Sequence, residues 1–367
     1  MKNVGILTFH TAHNYGAVLQ AFALQNFLKE HGVQNKIIDY QCLFNLKRFQ
    51  KRKLSYFFNI KNIYHIFMHN SFEYNNAKEF DDFLTKYMDM SHPIFDKTNL
   101  AHLNNSFDAF ICGSDQIWNL KCTEGDDSYF LPFVRLNNKK IAYAASFGVS
   151  DLPQEEKYRI KQLLKNFNSL SVREKEGCQI IHDLFGDKKR VFKVVDPTLL
   201  LRKQDWIQLA DYSLCPKTDY LLMYLLCEDP EILKFSLEYA KKQNLKIAYI
   251  SQRLFKRIDA CYIRNATPNQ WLGLFIRAKV VVTNSFHGTV FSINFNKDFF
   301  VKNIPNSKVN SRLMNLVDDY DLSSRLLSSC KVEQQYPEIN YMLINEKLDR
   351  NRQYSIDYLN EELDLQF

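Results

Sequence analysis

Apolar residues occur along the chain in two patterns, short continuous runs and positions at helical spacing. Together the two patterns predict an α/β protein. Short runs rich in β-branched and aromatic residues predict buried strands, and stretches with apolar residues at helical spacing predict helices between them. The predicted strands cover residues 4–9, 36–40, 107–112, 140–144, 170–172, 191–195, 220–226, 246–250, 279–283 and 299–302. The predicted helices cover residues 17–31, 73–87, 153–167, 231–243, 268–277 and 346–360.

The strands and helices form two successive sets. They predict two Rossmann-like, doubly wound domains that face each other across a cleft. The N-terminal domain is predicted at residues 1–200 and the C-terminal domain at 201–335, followed by a helical segment at 336–367 that could return to the N-terminal domain. The length of 367 residues agrees with two domains, at roughly 150 residues per domain.

The ends of the predicted strands carry most of the candidate chemistry. Five strands of the first set run into polar or glycine residues, at positions 10–16, 113–119, 145–148, 173–177 and 196–197. In the second set, the apolar residues 280–282 lead into the polar residues 283–285 and then into a helical pattern. Because α/β sheets bind ligands outside the carboxyl ends of their strands, we expect these residues to line one rim.

Charge and cysteine content change this picture little. The net charge of +7 favours an anionic ligand or surface, although such a surplus is also typical of solvated side chains. No apolar run reaches the ~20 residues that span a bilayer, so we expect a cytoplasmic protein. The cysteines have no C-x-x-C spacing, which indicates reduced thiols rather than a zinc site or a disulfide framework. They are residues 42, 112, 122, 178, 215, 227, 261 and 330.

The stretch at residues 43–69 departs from the α/β pattern, because it mixes lysine and arginine with phenylalanine and tyrosine. Such a stretch could lie peripherally at the inner face of the plasma membrane, where aromatic rings insert and basic side chains meet anionic lipid. The alternative is an excursion packed on the N-terminal domain with a charged outer face. We expect no nucleic-acid partner, since no recognisable binding motif accompanies the charge.

Five motifs in order resemble the polysaccharide pyruvyl transferase family, and they span nearly the whole chain. They lie at residues 9–17, 113–119, 171–174, 196–198 and 283–288. The resemblance implies a fold similar to GT-B glycosyltransferases and the transfer of a pyruvyl group from phosphoenolpyruvate to two hydroxyls of a sugar, giving a cyclic ketal. It places the reaction in the synthesis of a bacterial surface polysaccharide, such as a capsule or an exopolysaccharide. The implied donor is a substrate, so no cofactor is expected, and the sugar acceptor could be lipid-linked.

Three residues are the main candidates for the chemistry. The resemblance implies that Arg173 binds the anionic donor; the alternative is a salt bridge to Glu174 or Glu176. His287 is the candidate acid for the methylene carbon of the donor, or the group that neutralises its phosphate. Asp115 could accept a proton from the acceptor hydroxyl or cap a helix that follows it.

One departure from the family pattern affects the donor site. Many members carry an arginine two residues before the histidine, where this chain has Ser285, so another cation must take its place. Arg312 is the first alternative, followed by Arg253 and Lys308. Further substrate contacts are expected from the residues around the motifs, namely Asn14, Tyr15, Gly16, Gly113, Ser114, Asn284, Ser285 and Gly288. We expect no metal site, because His10 and His13 have no evident third ligand.

Two other functions remain as alternatives. A nucleotide-sugar-dependent GT-B glycosyltransferase would need a carboxylate in the second domain to hold the ribose, and residues 286–300 offer only Asp298. A non-catalytic glycan-binding relative is favoured by the missing arginine. Phosphate release from phosphoenolpyruvate, compared with turnover of a UDP-sugar, separates the three functions.

Overall fold

The computed structural model describes residues 3–41, 77–253, 256–304, 310–327, 334 and 336–365. The chain divides into two compact units. Unit 1 comprises residues 1–48, 84–201 and 343–367, and unit 2 comprises residues 49–83 and 202–342. The stretch at 43–69 lies outside the described residues, so its contact with a membrane remains a prediction.

Unit 1 contains a six-stranded parallel sheet in the order β2-β1-β3-β4-β5-β6. Its strands are β1 (Asn3–Leu7), β2 (Gln34–Ile37), β3 (Ala109–Cys112), β4 (Lys139–Ala145), β5 (Ser169–Val172) and β6 (Val191–Lys193). The strand order reverses between β1 and β3, which makes this the switch point where doubly wound sheets open toward ligands. Three helices lie in this unit, α1 (Tyr15–Glu30), α3 (Gln154–Leu164) and α4 (Lys175–Phe185), and α2 (Ala77–Tyr87) begins in unit 2 and ends in unit 1.

Unit 2 contains a five-stranded parallel sheet in the order β11-β10-β7-β8-β9. Its strands are β7 (Tyr220–Tyr224), β8 (Lys246–Ile250), β9 (Cys261–Ile263), β10 (Val280–Thr283) and β11 (Asp298–Val301). The switch point lies between β7 and β10. The helices are α5 (Lys203–Leu209), α6 (Pro230–Lys242), α7 (Pro268–Arg277), α8 (Phe286–Asn294) and α9 (Asn310–Asp319).

Aromatic side chains fill the core of each unit. In unit 1, Trp118 stacks on Phe130 with ring centroids 5.5 Å apart. In unit 2, Trp271 packs edge to face against Tyr224 and Phe291, at centroid distances of 5.4 and 5.1 Å. Such pairs bury large apolar areas and fix the rings at defined angles. The two parallel sheets confirm the predicted α/β class with two Rossmann-like parts.

A long final helix, α10 (Tyr341–Leu363), belongs to unit 1 from Leu343 onward. The hydroxyl of Tyr358 donates to the Ala142 carbonyl in β4 at 2.8 Å. The backbone N–H of Val195 donates to Ser355 Oγ at 3.0 Å. The helix therefore provides hydrogen-bond partners for backbone groups of β4 and of the residues after β6, which precede it by more than a hundred residues.

The described residues contain no feature typical of a membrane span or a metal site. No described helix is long and apolar enough to cross a membrane. The described part of the chain holds no group of three or more side chains suited to a metal ion. The six described cysteines form no disulfide with one another; they are residues 112, 122, 178, 215, 227 and 261.

Candidate functional site

Arg173 follows β5 directly, and its guanidinium lies among three carboxylates. Nε donates to Glu174 Oε1 at 2.9 Å, Nη1 to Asp196 Oδ2 at 2.7 Å, and Nη2 to Asp115 Oδ1 at 3.3 Å. The side chains of Arg173 and Asp196 are each 1% exposed. The salt bridge to Glu174, which was the alternative to donor binding, is therefore present.

The charge balance around Arg173 is negative. Burial works to lower the pKa of Arg173, but the carboxylates of Glu174, Asp196 and Asp115 outweigh it and hold that pKa above its ordinary value. With these carboxylates ionised, one cation stands against three anions, which disfavours a further anion beside them. Donor binding by Arg173 remains a prediction, and its geometry favours a structural role that joins the ends of β3, β5 and β6.

Ser114 connects this cluster to the switch point between β1 and β3. Its Oγ donates to the Ala144 carbonyl at 2.9 Å and lies 3.3 Å from Asp196 Oδ2. Its backbone N–H donates to Gln20 Oε1 at 3.1 Å, and Gln20 Nε2 donates to Thr8 Oγ1 at 2.9 Å. Ser114 and Gln20 are fully buried. The sequence analysis did not single out Gln20, because a lone amide in α1 looks like any surface residue until its partners are known.

Gly113 and Asp115 shape the turn after β3. Gly113 has a φ of +117°, and a Cβ there would lie 2.0 Å from the Tyr143 carbonyl oxygen, so only glycine fits. Asp115 Oδ1 accepts from the backbone N–H of Gln116 at 2.8 Å as well as from Arg173. The described residues that follow form bends and turns, so the expectation that Asp115 caps a following helix is wrong. Its role as a base remains a prediction.

Asn14, Tyr15 and Gly16 begin α1 and do not form the loop that was predicted before it. Asn14 is the N-cap, since its Oδ1 accepts the backbone N–H of Ala17 at 3.2 Å, and it is exposed. Tyr15 and Gly16 are buried in the first turn. The amino end of a helix favours an anion, and the substrate contacts predicted for these residues remain predictions.

In unit 2, the polar residues after β10 tie this strand to the end of β7. Thr283 Oγ1 donates to the Tyr224 carbonyl at 2.6 Å. Asn284 Nδ2 donates to the Cys227 carbonyl at 2.6 Å, and its Oδ1 accepts from the backbone N–H of Leu226 at 2.7 Å. Asn284 therefore fixes the backbone on both sides of the switch point.

Ser285 and Gly288 determine how α8 starts. Ser285 Oγ accepts the backbone N–H of Gly288 at 3.2 Å, which makes Ser285 the N-cap. A Cβ on Gly288 would lie 2.5 Å from Thr283 Oγ1, so glycine allows the helix to approach β10 closely. Ser285, where the resemblance implied an arginine, is therefore a helix cap in this chain.

His287 and Arg312 lie near the same aromatic ring. His287 is in the first turn of α8, and its ring centroid is 5.1 Å from that of Phe286, at 85°. The Arg312 guanidinium, from the first turn of α9, lies 5.7 Å from the centroid of the Phe286 ring. Both residues are more than nine-tenths buried. The structure thus brings the first alternative cation to the helix start that carries His287.

The remaining candidates lie elsewhere or outside the described residues. Arg253 Nε pairs with Glu228 Oε1 at 2.6 Å. Asp298 begins β11, and its Oδ1 lies 2.9 Å from Arg325 Nη1. Asp298 is therefore at the amino end of its strand, opposite the edge that carries His287, which disfavours it as a ribose-binding carboxylate. Lys308 is outside the described residues.

Two parallel sheets with polar residues at the carboxyl ends of their strands define the class: an α/β protein with two Rossmann-like units, as in GT-B-like transferases. The model of the polysaccharide pyruvyl transferase family matches residues 14–305 of the chain. The chain belongs to this family and is a transferase.

Several solved structures resemble the chain at low sequence identity. A complex of S. aureus MnaA with UDP is 11% identical, with a TM-score of 0.50, over 100% of this chain and 98% of that chain. A UDP-GlcNAc 2-epimerase from Neisseria meningitidis bound to UDP-GlcNAc is 9% identical, with a TM-score of 0.45, over 100% and 95%. An alpha-glucosyltransferase in complex with UDP and DNA is 8% identical, with a TM-score of 0.47, over 98% and 95%. No curated protein matches. Likeness at these identities concerns the fold alone.

Proposed function

We propose that the chain transfers a pyruvyl group from phosphoenolpyruvate to two hydroxyls of a sugar in a surface polysaccharide or its precursor, and that His287 and Arg312 act on the donor. The observation that carries this proposal is the placement of both side chains around Phe286, at the start of α8. This start follows β10, at the switch point of unit 2. A helix amino end, an imidazole and a guanidinium together suit a ligand with a phosphate and a carboxylate.

The roles follow from the chemistry of ketal formation. A proton must reach the methylene carbon of phosphoenolpyruvate, which becomes a methyl group and leaves C2 electrophilic. His287 donates this proton, and Arg312 offsets the negative charge of the donor. The first sugar hydroxyl attacks C2 and loses its proton, the bond from C2 to the phosphate oxygen breaks, and the second hydroxyl closes the ring. One hydroxyl proton restores the acid, and the other leaves with inorganic phosphate, so the reaction needs no redox partner.

The test measures phosphate release from phosphoenolpyruvate in the presence of defined sugar acceptors. Mass spectrometry should show that the acceptor gains the mass of pyruvate less one water. The variant His287→Asn should lose the reaction almost completely, by roughly 10²-fold or more, because it removes the acid. The control His182→Asn changes an exposed histidine of α4 and should keep wild-type turnover.

Near-normal turnover of His287→Asn at an unchanged melting temperature would contradict the role of His287. Turnover of a UDP-sugar without phosphoenolpyruvate would instead support the nucleotide-sugar transferase. Binding of glycans with neither reaction would support the non-catalytic relative. The acceptor series also tests whether the sugar must be lipid-linked.

A further inference from the structure

Two amide side chains in the turn after β3 form a pair at the carboxyl edge of the unit 1 sheet. Asn119 Nδ2 donates to Gln116 Oε1 at 2.9 Å, and both residues are partly exposed. The turn lies at the switch point between β1 and β3, where doubly wound sheets bind ligands. These two residues and Asp115, which directly precedes Gln116, are called the Gln116 subsite below.

The amide pair packs on the backbone of Gly148, in the turn after β4. A Cβ on Gly148 would lie 2.1 Å from Gln116 Oε1 and 2.7 Å from Asn119 Nδ2. Between the two amides, the buried Trp118 donates its backbone N–H to the Ser146 carbonyl at 3.2 Å. The turns after β3 and β4 therefore hold the amides in place before any ligand arrives, which lowers the entropic cost of binding.

The hydrogen bonds of the pair determine which end of the Gln116 amide faces away from it. The backbone N–H of Lys121 donates to Asn119 Oδ1 at 3.1 Å, so Asn119 must turn its NH₂ group toward Gln116. Gln116 must then turn its oxygen toward Asn119, and its own NH₂ group points elsewhere. Within the described part of the chain, Gln116 Nε2 has no hydrogen-bond partner, and it reaches solvent. The subsite therefore presents a fixed, accessible donor.

The charges around the Gln116 subsite favour a neutral ligand. Asp115 is one of the carboxylates around Arg173, where one cation stands against three anions, and this balance disfavours an anionic ligand. A sugar hydroxyl is neutral, and it both donates and accepts hydrogen bonds. The Gln116 NH₂ group can donate to one hydroxyl, and the Asp115 carboxylate, whose side chain is 16% exposed, can accept from another.

We propose that the Gln116 subsite binds the sugar acceptor, with Gln116 Nε2 donating to a hydroxyl oxygen of that sugar. The inference deepens the proposed function and rests on it for the role of the sugar as acceptor. Gln116 determines specificity, because a sugar without a hydroxyl at this point leaves the fixed donor unpaired. Sugar binding itself needs no pyruvyl transfer, so the two proposals can be tested apart.

The test measures binding of the methyl glycosides of galactose, glucose and mannose to the full chain by saturation-transfer NMR. The glycoside that binds wild type most tightly is then titrated into the variants. Gln116→Glu keeps an oxygen toward Asn119 and replaces the NH₂ group by a second oxygen. It should weaken binding by about fivefold or more, the loss of one hydrogen bond. Gln154→Glu is the matched control, because it makes the same change at an exposed position of α3 and should leave the affinity unchanged.

Asn119→Asp tests the orientation of the amide without changing Gln116. The new carboxylate presents an oxygen where the NH₂ group was, so Gln116 should reverse its amide and turn its oxygen toward the sugar. We expect a loss of binding similar to that of Gln116→Glu, which a side chain that only points into solvent would not show. Melting curves check that both variants are folded.

Equal affinity of Gln116→Glu and wild type would overturn the proposal, and so would a wild type that binds none of the three glycosides. In the turnover assay, Gln116→Glu should raise the KM of the sugar acceptor and leave that of phosphoenolpyruvate unchanged. A rise in the KM of phosphoenolpyruvate alone would contradict the proposal, since Gln116 would then contact the donor. Loss of glycoside binding in Gln116→Glu, when wild type releases no phosphate from phosphoenolpyruvate, would support the subsite and reject the pyruvyl transfer.

Discussion

The network around Arg173 makes a quantitative prediction for Asp196→Asn. This change keeps the size of the side chain and removes its charge. Asp196 Oδ2 now accepts from Arg173 Nη1 at 2.7 Å, and Oδ1 accepts from the hydroxyl and backbone N–H of Thr198 at 2.7 and 3.1 Å. An asparagine that keeps its oxygen toward Thr198 turns its NH₂ group toward Arg173, so that a donor faces a donor.

The expected loss of stability follows from burial and from the remaining partners. Removing one partner of a buried ion pair costs about 3–5 kcal/mol. Because Glu174 and Asp115 still neutralise Arg173, we expect the lower end of that range, about 3 kcal/mol. For a unit of this size, such a loss lowers the melting temperature by about 6–12 °C.

Differential scanning calorimetry of wild type and variant measures the shift. The control is Asp187→Asn, which removes a carboxylate that is exposed beside His182 and should leave the melting temperature unchanged. Arg173→Gln should destabilise as well. The double variant should lose less than the sum of the single variants, because both remove the same interaction.

An Asp196→Asn melting temperature equal to that of the Asp187→Asn control would refute the structural role of this network. Strict additivity in the double variant would do the same. If Arg173→Gln instead raised the apparent KM for phosphoenolpyruvate at unchanged stability, Arg173 would be a direct donor contact.

Two further predictions concern unit 2. Gly288→Ala should push the first turn of α8 away from β10, because Thr283 Oγ1 lies 2.5 Å from the new Cβ and is held by its hydrogen bond to the Tyr224 carbonyl. Calorimetry should show a loss of about 1–3 kcal/mol in the free energy of unfolding. A variant as stable as wild type would contradict the close approach of α8 to β10. Burial works to raise the pKa of Asp229, but the hydrogen bond from Lys302 and two backbone N–H groups of α6 outweigh it, so this pKa lies below its ordinary value. The folded-state pKa is lowered, so the stabilisation is present above the unfolded pKa and is lost as the pH falls through the folded pKa. The stability of wild type relative to Asp229→Asn should therefore be constant at neutral pH and decrease only below about pH 4; a difference that is already lost near pH 6 would contradict this assignment.

Much of the fold could be predicted from local pattern, and the exceptions have physical reasons. β9 has three residues, too few to show a period. The helix α4 was missed because its first turn lies in the polar run after β5, which looked like a loop. The helix α5 was also missed, and its buried Trp206 packs against Phe291 with ring centroids 5.0 Å apart. Buried strands such as β10 were found because their apolar runs are continuous.

The candidate site could be predicted only in part, because side-chain partners are set by the fold. The position of His287 after a buried strand was readable, and the structure confirms this placement. The neighbours of Arg173 were harder to predict from the sequence, since Asp115 and Asp196 lie 58 and 23 residues away along the chain. The motif at 196–198 was recognised without a role, and its carboxylate proves to be a buried partner of Arg173.

The docking of α10 on unit 1 has a consequence for synthesis on the ribosome. β4 and the residues after β6 are translated long before Ser355 and Tyr358, whose side chains bond to their backbone groups. Until the last segment emerges, the first unit has an uncovered surface while the second unit is still being made. We therefore expect the first unit to reach its native state only after translation of residues 341–363, so a ribosome stalled before them should display a protease-sensitive first unit.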